Sequence, residues 1–189
     1  MKKRLFCLVL VLLLSAGCSA APEAGLYIAP SEFSEETEDV LKLFSSELQF
    51  YDLSFDDSVQ SFSMDIWLYE DGEWVDAGGT HGGRDFLPER FALRMLDTSC
   101  DIYIIDDDGS FTKGSFPLTA IDPGESFALS SWHPDAKTEL ELNQETALWV
   151  KRWLKGSSME ASYSETPFRD APCDAGIAVT LTLSDQPAD

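Results

Sequence analysis

GIAVTLTL, residues 176–183, decides the fold class. Ile177, Val179, Leu181 and Leu183 fall on one side of an extended chain, with Thr180 and Thr182 on the other. Successive side chains of a strand point to opposite faces, so this alternation marks a strand with one apolar face. The same period recurs upstream. Tyr51, Leu53 and Phe55 alternate with polar partners, and so do Phe62, Met64, Ile66 and Leu68 over a longer run. Phe91, Leu93 and Met95 repeat the pattern, followed by Ile102 and Ile104.

Between these runs lie turn signals. Asp71-Gly72 is a preferred two-residue hairpin turn, because both of its positions must reach positive φ, and it predicts a partner strand from Glu73 to Ala77. DDDGS, residues 106–110, predicts a second hairpin that returns from Phe111. GGTHGG, residues 78–83, reads as a flexible loop. SFALSSW (126–132), TELEL (138–142) and ETALWVKRW (145–153) complete the strand series. The last could also be a helix capped by Asn143 and ending at Gly156. The alternation of Leu148 and Val150 with Trp149 and Lys151, among neighbouring strands, favours a strand. SEETEDVLKLFSSEL (34–48) reads as one short helix, with Ser34 as N-cap and Val40, Leu41, Phe44 and Leu48 on a shared face.

Eight or nine short strands separated by Gly, Asp and Pro predict a mainly β chain. The expected architecture is an antiparallel β-sandwich, Ig-like or related, with one short N-terminal helix. No fixed-period repeat and no dividing linker interrupt residues 34–189, which predicts a single domain there.

The front of the chain follows different rules. Met1-Lys2-Lys3-Arg4 carries three positive charges, and ten apolar residues from Leu5 to Leu14 follow. Ten residues are too few to cross a hydrocarbon core about 30 Å thick as a helix. Basic residues, a short apolar run and small residues together read as an export signal that is removed. Leu14-Ser15-Ala16-Gly17-Cys18 resembles the lipobox of bacterial lipoproteins, with Ser15 where that family usually has Leu. The resemblance implies a signal peptide over residues 1–17 and a diacylglyceryl group on the Cys18 sulfur. Residues 18–33 would then form a leash, with membrane lipid as partner and the domain on the extracytoplasmic face of the cell membrane. Two acyl chains hold stably where one is marginal. The remaining chain loosely resembles small surface lipoproteins of Gram-positive bacteria, a likeness that carries no activity.

Removing residues 1–17, with three positive charges and no acidic one, takes the formal net charge from −21 to −24. Nucleic-acid backbones are bound through Lys and Arg, so nucleic acid is a poor partner for this chain. Cys100 and Cys173 remain beside Cys18. In an exported domain they permit a disulfide, with two free buried thiols as the alternative. Neither has a neighbouring His, so no metal site is readable, and no cofactor is expected.

Candidate chemistry is sparse. His81, Arg84 and Asp85 supply a base, a cation and a carboxylate within five residues, beside four glycines. No G-x-S-x-G elbow accompanies them. Ser131, His133 and Asp135 hold the letters of a triad, but a triad is defined by spatial roles. Asp106, Asp107 and Asp108 lack the alternating ligand spacing of a calcium loop. Trp67 and Tyr69 sit opposite in phase to Ile66 and Leu68, and Trp74 lies across the hairpin turn. Such an aromatic row either pairs across strands or binds a glycan or a surface protein. The expectation is a non-enzymatic, membrane-anchored binding or interaction module. Alternatives are a hydrolase of extracellular or cell-wall polymer at His81, and an assembly component of the cell envelope.

Overall fold

The computed structural model describes residues 25–44, 47–96, 98–106, 108–118, 127–155 and 167–188. The export signal, Cys18, Asp107 and the first part of the leash lie outside the described residues. The chain is mainly β, in two antiparallel sheets with one short helix. The first sheet holds β7 (Phe111–Pro117), β6 (Ser99–Ile105), β5 (Arg90–Met95), β2 (Leu48–Ser54), β1 (Tyr27–Pro30) and β9 (Thr138–Glu139), in that spatial order. The second runs β4 (Glu73–Gly83), β3 (Ser61–Glu70), β11 (Ala175–Ser184), β10 (Thr146–Lys155) and β8 (Phe127–Trp132).

The opening stretch lies at the centre of the second sheet. In β11, Ile177, Val179, Leu181 and Leu183 stand opposite Leu68, Ile66, Met64 and Phe62 of β3. All eight are almost fully buried. They share one apolar core with Ile28, Tyr51, Leu53, Phe91, Leu93, Met95, Cys100 and Ile102 of the first sheet. The Tyr51 hydroxyl crosses that core and donates to the Leu148 carbonyl at 3.2 Å. Burying a Leu, Ile or Phe side chain stabilises by roughly 1.5–3 kcal/mol, so these matched inner rows hold the two sheets together.

Residues 146–155 form a strand, with a bulge between Ala147 and Trp149. The bulge breaks the alternation, so the consecutive residues Leu148 and Trp149 both enter the core. Asn143 caps no helix. It sits at φ 61, and its backbone N–H donates to the Leu183 carbonyl. TELEL forms only the two-residue β9, while Leu140 and Leu142 pack on the core from the loop that follows.

Two expectations are corrected. GGTHGG is not a loop but the second half of β4, paired with β3 as far as Ser61 opposite Gly83. Glycines permit this. Gly78 takes φ 111 at a bulge, and a Cβ on Gly79 would run into the Met64 carbonyl oxygen. The helix α1 (Glu35–Leu41) does start at Ser34, whose side chain accepts from the Thr37 N–H at 3.4 Å. Its apolar face, however, is not buried. Val40 is 57% and Phe44 44% exposed, and Leu48 belongs to β2, because seven helical residues and one tight turn end before the chain re-enters the sheet.

Candidate functional site

The outer face of the first sheet carries a well-formed concavity. With Tyr51 and Leu53 turned inward, β2 must present Leu48, Phe50 and Asp52 outward. By the same parity β5 presents Arg90, Ala92 and Arg94, and β6 presents Asp101, Tyr103 and Ile105. From β7 come Phe111, Lys113 and Ser115. Register lines up Phe50, Ala92, Tyr103 and Lys113 across four strands. The small Ala92 makes a low point between two rings. Phe44, in the turn after α1, flanks it from the β2 side, and Phe111 flanks it from the β7 side. The result is an apolar groove of about 460 Å³ lined by Phe44, Leu48, Phe50, Ala92, Tyr103, Ile105 and Phe111, with Arg94 as its charged lining residue. This volume lies within the usual range for small-molecule sites.

Charge on this face is unevenly satisfied. Arg90 grips Asp52 through two hydrogen bonds of 2.6 and 3.2 Å, and Ser31 donates to the same carboxylate at 2.7 Å. Burial opposes ionisation of Asp52, but these donors outweigh it and hold the carboxyl below its ordinary range. Lys113 contacts the buried Asp101 at 2.9 Å, and Ser115 and Tyr103 donate to it as well. Asp101 is likewise held below the ordinary range, its donors exceeding the desolvation penalty. Arg94 differs. Its guanidinium lies 3.7 Å from the Glu47 carboxylate, beyond hydrogen-bond distance.

The aromatic row Trp67, Tyr69 and Trp74, read as either cross-strand pairing or a binding face, sits on the outer face of the second sheet, where residues of the same chain cover it. Trp67 donates from Nε1 to the Thr180 hydroxyl at 3.0 Å, and the Arg169 guanidinium stacks on its ring at 3.9 Å. Tyr69 meets Trp74 edge-on at 5.4 Å, and Trp74 meets Phe168 at 5.0 Å. Trp74 lies so close to β11 that a Cβ on Gly176 would stand 2.6 Å from its ring. The Trp74 Nε1 is buried without an acceptor among the described residues. Arg169 is also bidentate to Glu145, at 2.9 and 2.7 Å. Residues 168–169 therefore form a strap over the row, and Thr180, on the side of β11 opposite its apolar row, is fully buried beside it.

His81, Arg84 and Asp85 do not converge. His81 is exposed on β4 opposite Ser63, beside a shallow hollow lined by Ser61, Thr182 and Ser184. Arg84 turns away, donating to the carbonyls of Asp56 and Val59 at 3.0 and 2.8 Å and to the Asp57 carboxylate at 2.6 Å. Asp85 is exposed in the turn Arg84–Phe86. Ser131, His133 and Asp135 form no relay. The Ser131 hydroxyl accepts from Trp149 Nε1 at 3.0 Å, and His133 packs edge-on against the same indole. Asp106 and Asp108 both accept from Ser110 and so stabilise their own turn. Among the described residues, no group of three His, Cys, Asp or Glu could hold a metal.

Cys100 and Cys173 are separate free thiols. Cys100 is buried on β6, where desolvation pushes its thiol up to about 12. Desolvation likewise pushes the half-buried Cys173 up to about 11. Both shifts favour the neutral thiol over the thiolate near neutral pH.

The groove escaped the sequence reading because the runs at 51–55, 91–95 and 102–104 were read for their apolar phase alone. One signal was available. Leu48 and Phe50 in β2, and Tyr103 and Ile105 in β6, place large apolar residues on the phase that should be polar. No helix among the described residues is long and apolar enough to cross a membrane. Comparison of the chain with protein-family models, with curated proteins and with solved structures returned no match, so the site is read from its own chemistry.

Proposed function

We propose that the protein is a non-enzymatic binding module, tethered outside the cell membrane through a diacylated Cys18, that binds through the groove on its first sheet. The observation that carries this reading is the groove itself: an apolar concavity with exposed aromatic flanks on the side of a sheet that normally faces water. The tether rests on the lipobox-like residues 14–18 and would raise the local concentration of the groove at the membrane. For the architecture we propose a β-sandwich related to the immunoglobulin layout but differing in strand order. In that layout the third strand neighbours the penultimate strand, whereas here β3 neighbours the last one, β11.

Two measurements test the reading. Cys18→Ala should move the protein from the membrane fraction to the soluble one, and retention at the membrane would remove the tether. Nile red, a neutral apolar dye, should brighten with the wild-type protein and fail to do so with Phe111→Asp. Phe111 is 63% exposed, so this variant should keep the wild-type melting temperature within about 2 °C. Equal dye binding by both proteins would place apolar binding elsewhere.

A further inference from the structure

We propose that the groove takes a single-chain amphipathic carboxylate, with its hydrocarbon chain along Phe50, Ala92 and Ile105 and its carboxylate on Arg94. This rests on the groove being the binding site and adds the chemical class of the ligand.

The cations on this face differ in how fully they are engaged. Arg90 and Lys113 are engaged by carboxylates at 2.6 and 2.9 Å. Among the described residues Arg94 pairs with Glu47 alone, at 3.7 Å, with both side chains roughly 40% exposed (38% and 46%). A separation of that size in partly exposed side chains contributes little, so exchanging Glu47 for a ligand carboxylate loses little. A guanidinium accepts a planar carboxylate through two parallel hydrogen bonds, an arrangement Arg94 does not make with Glu47. Asp101, the cross-strand partner of Arg94, is already occupied by Lys113, Ser115 and Tyr103. Tyr103, the other lining residue with a polar tip, directs its hydroxyl at Asp101. The groove thus offers one charged contact at its rim and apolar walls elsewhere, in a chain of net charge −21 where a cation at an apolar site is conspicuous. A ligand that satisfies both parts is apolar along its length and anionic at one end.

Calorimetric titration of the full chain with octanoate, decanoate and dodecanoate, each below its micelle concentration, tests the assignment against the matching alcohols and dodecyltrimethylammonium. The carboxylate should bind about tenfold more tightly than its alcohol, and the ammonium more weakly than either. Each added methylene should tighten binding about fourfold until the groove is filled. Arg94→Gln should bring the carboxylate to the affinity of the alcohol, and Glu47→Gln, which removes the competing carboxylate, should tighten carboxylate binding. Equal affinity of carboxylate and alcohol, or a carboxylate preference that survives Arg94→Gln in a protein with a wild-type melt, would overturn the assignment of ligand class. In that case binding of the alcohols and of Nile red would leave the groove reading standing. If neither amphiphiles nor Nile red bind, the groove reading falls together with the ligand class.

Discussion

Replacing Arg169 with alanine should destabilise the protein by about 1–2 kcal/mol, because its side chain makes the polar contacts that fasten the strap over the second sheet. The wild-type guanidinium makes two charge-assisted hydrogen bonds to Glu145, at 2.9 and 2.7 Å. Its partners are about one-third exposed, 35% for Arg169 and 30% for Glu145, so solvent screening limits the pair to about 0.5–1 kcal/mol. Stacking on Trp67 at 3.9 Å adds a cation–π contribution of similar size, about 0.5–1 kcal/mol. Arg169→Lys keeps the charge but not the planar fork, and should recover less than half of the loss. Glu145→Ala should cost at least as much as Arg169→Ala, since Thr180, fully buried, also loses the acceptor of its hydroxyl at 3.2 Å. Urea denaturation followed by tryptophan fluorescence reads all three, and Trp67 itself should respond to removal of the cation. The loss in Arg169→Ala should shrink in 1 M salt, where the ion pair is screened. An Arg169→Ala protein within 0.3 kcal/mol of wild type would refute the argument, because the strap would then be held by something other than this residue.

Backbone proximity and buried ionisable groups give further expectations. Gly79→Ala should cost about 2 kcal/mol or more in the same urea assay, since the added methyl meets main chain of β3 that cannot swing aside; a neutral result would mean the β3–β4 pairing gives way easily. Gly72→Ala finds open space but requires φ 93, so it should cost about 1 kcal/mol. Stability should also fall as pH rises above the ordinary thiol pKa of about 9, through about 11 for Cys173 and about 12 for Cys100. The sign follows from the folded state holding a proton that the unfolded chain releases, and the slope approaches 1.4 kcal/mol per pH unit for each group. Cys100→Ala should flatten that slope, and an unchanged slope would separate alkaline instability from this thiol. At the other end, Asp52 and Asp101 lie below the ordinary carboxylate pKa of 3.8. Their contribution is present above that value and lost as pH falls through the depressed ones, so acid melts of Asp101→Asn should lose part of the dependence on pH.

What this sequence determined by itself is local. Alternation of apolar residues named most of the strands, as at 62–68 and 177–183, because the side-chain period of a strand is written directly in the chain. Asp71-Gly72 named its hairpin, and the structure places both residues at positive φ, at 53 and 93. Ser34 named the helix start through the single hydrogen bond a cap makes. Four features depended on residues far apart in the chain. Gly78 and Gly79 extend β4 rather than open a loop only because β3 lies alongside, with Ile66 opposite Gly78 and Met64 and Asp65 against Gly79. Leu148 and Trp149 both face inward because a bulge against β11 shifts the phase. Trp67, Tyr69 and Trp74 share the face the sequence assigned them, but whether that face meets water depended on Phe168 and Arg169, about a hundred residues later in the chain (101 and 102 beyond Trp67). The groove was decided the same way. Phe44, Phe50, Tyr103 and Phe111 come from three strands and a turn, and strand order in a sheet brings them to one face. Periodicity tells a residue which side of its own strand it occupies; only packing between sheets decides which of the two sides is covered, and by what.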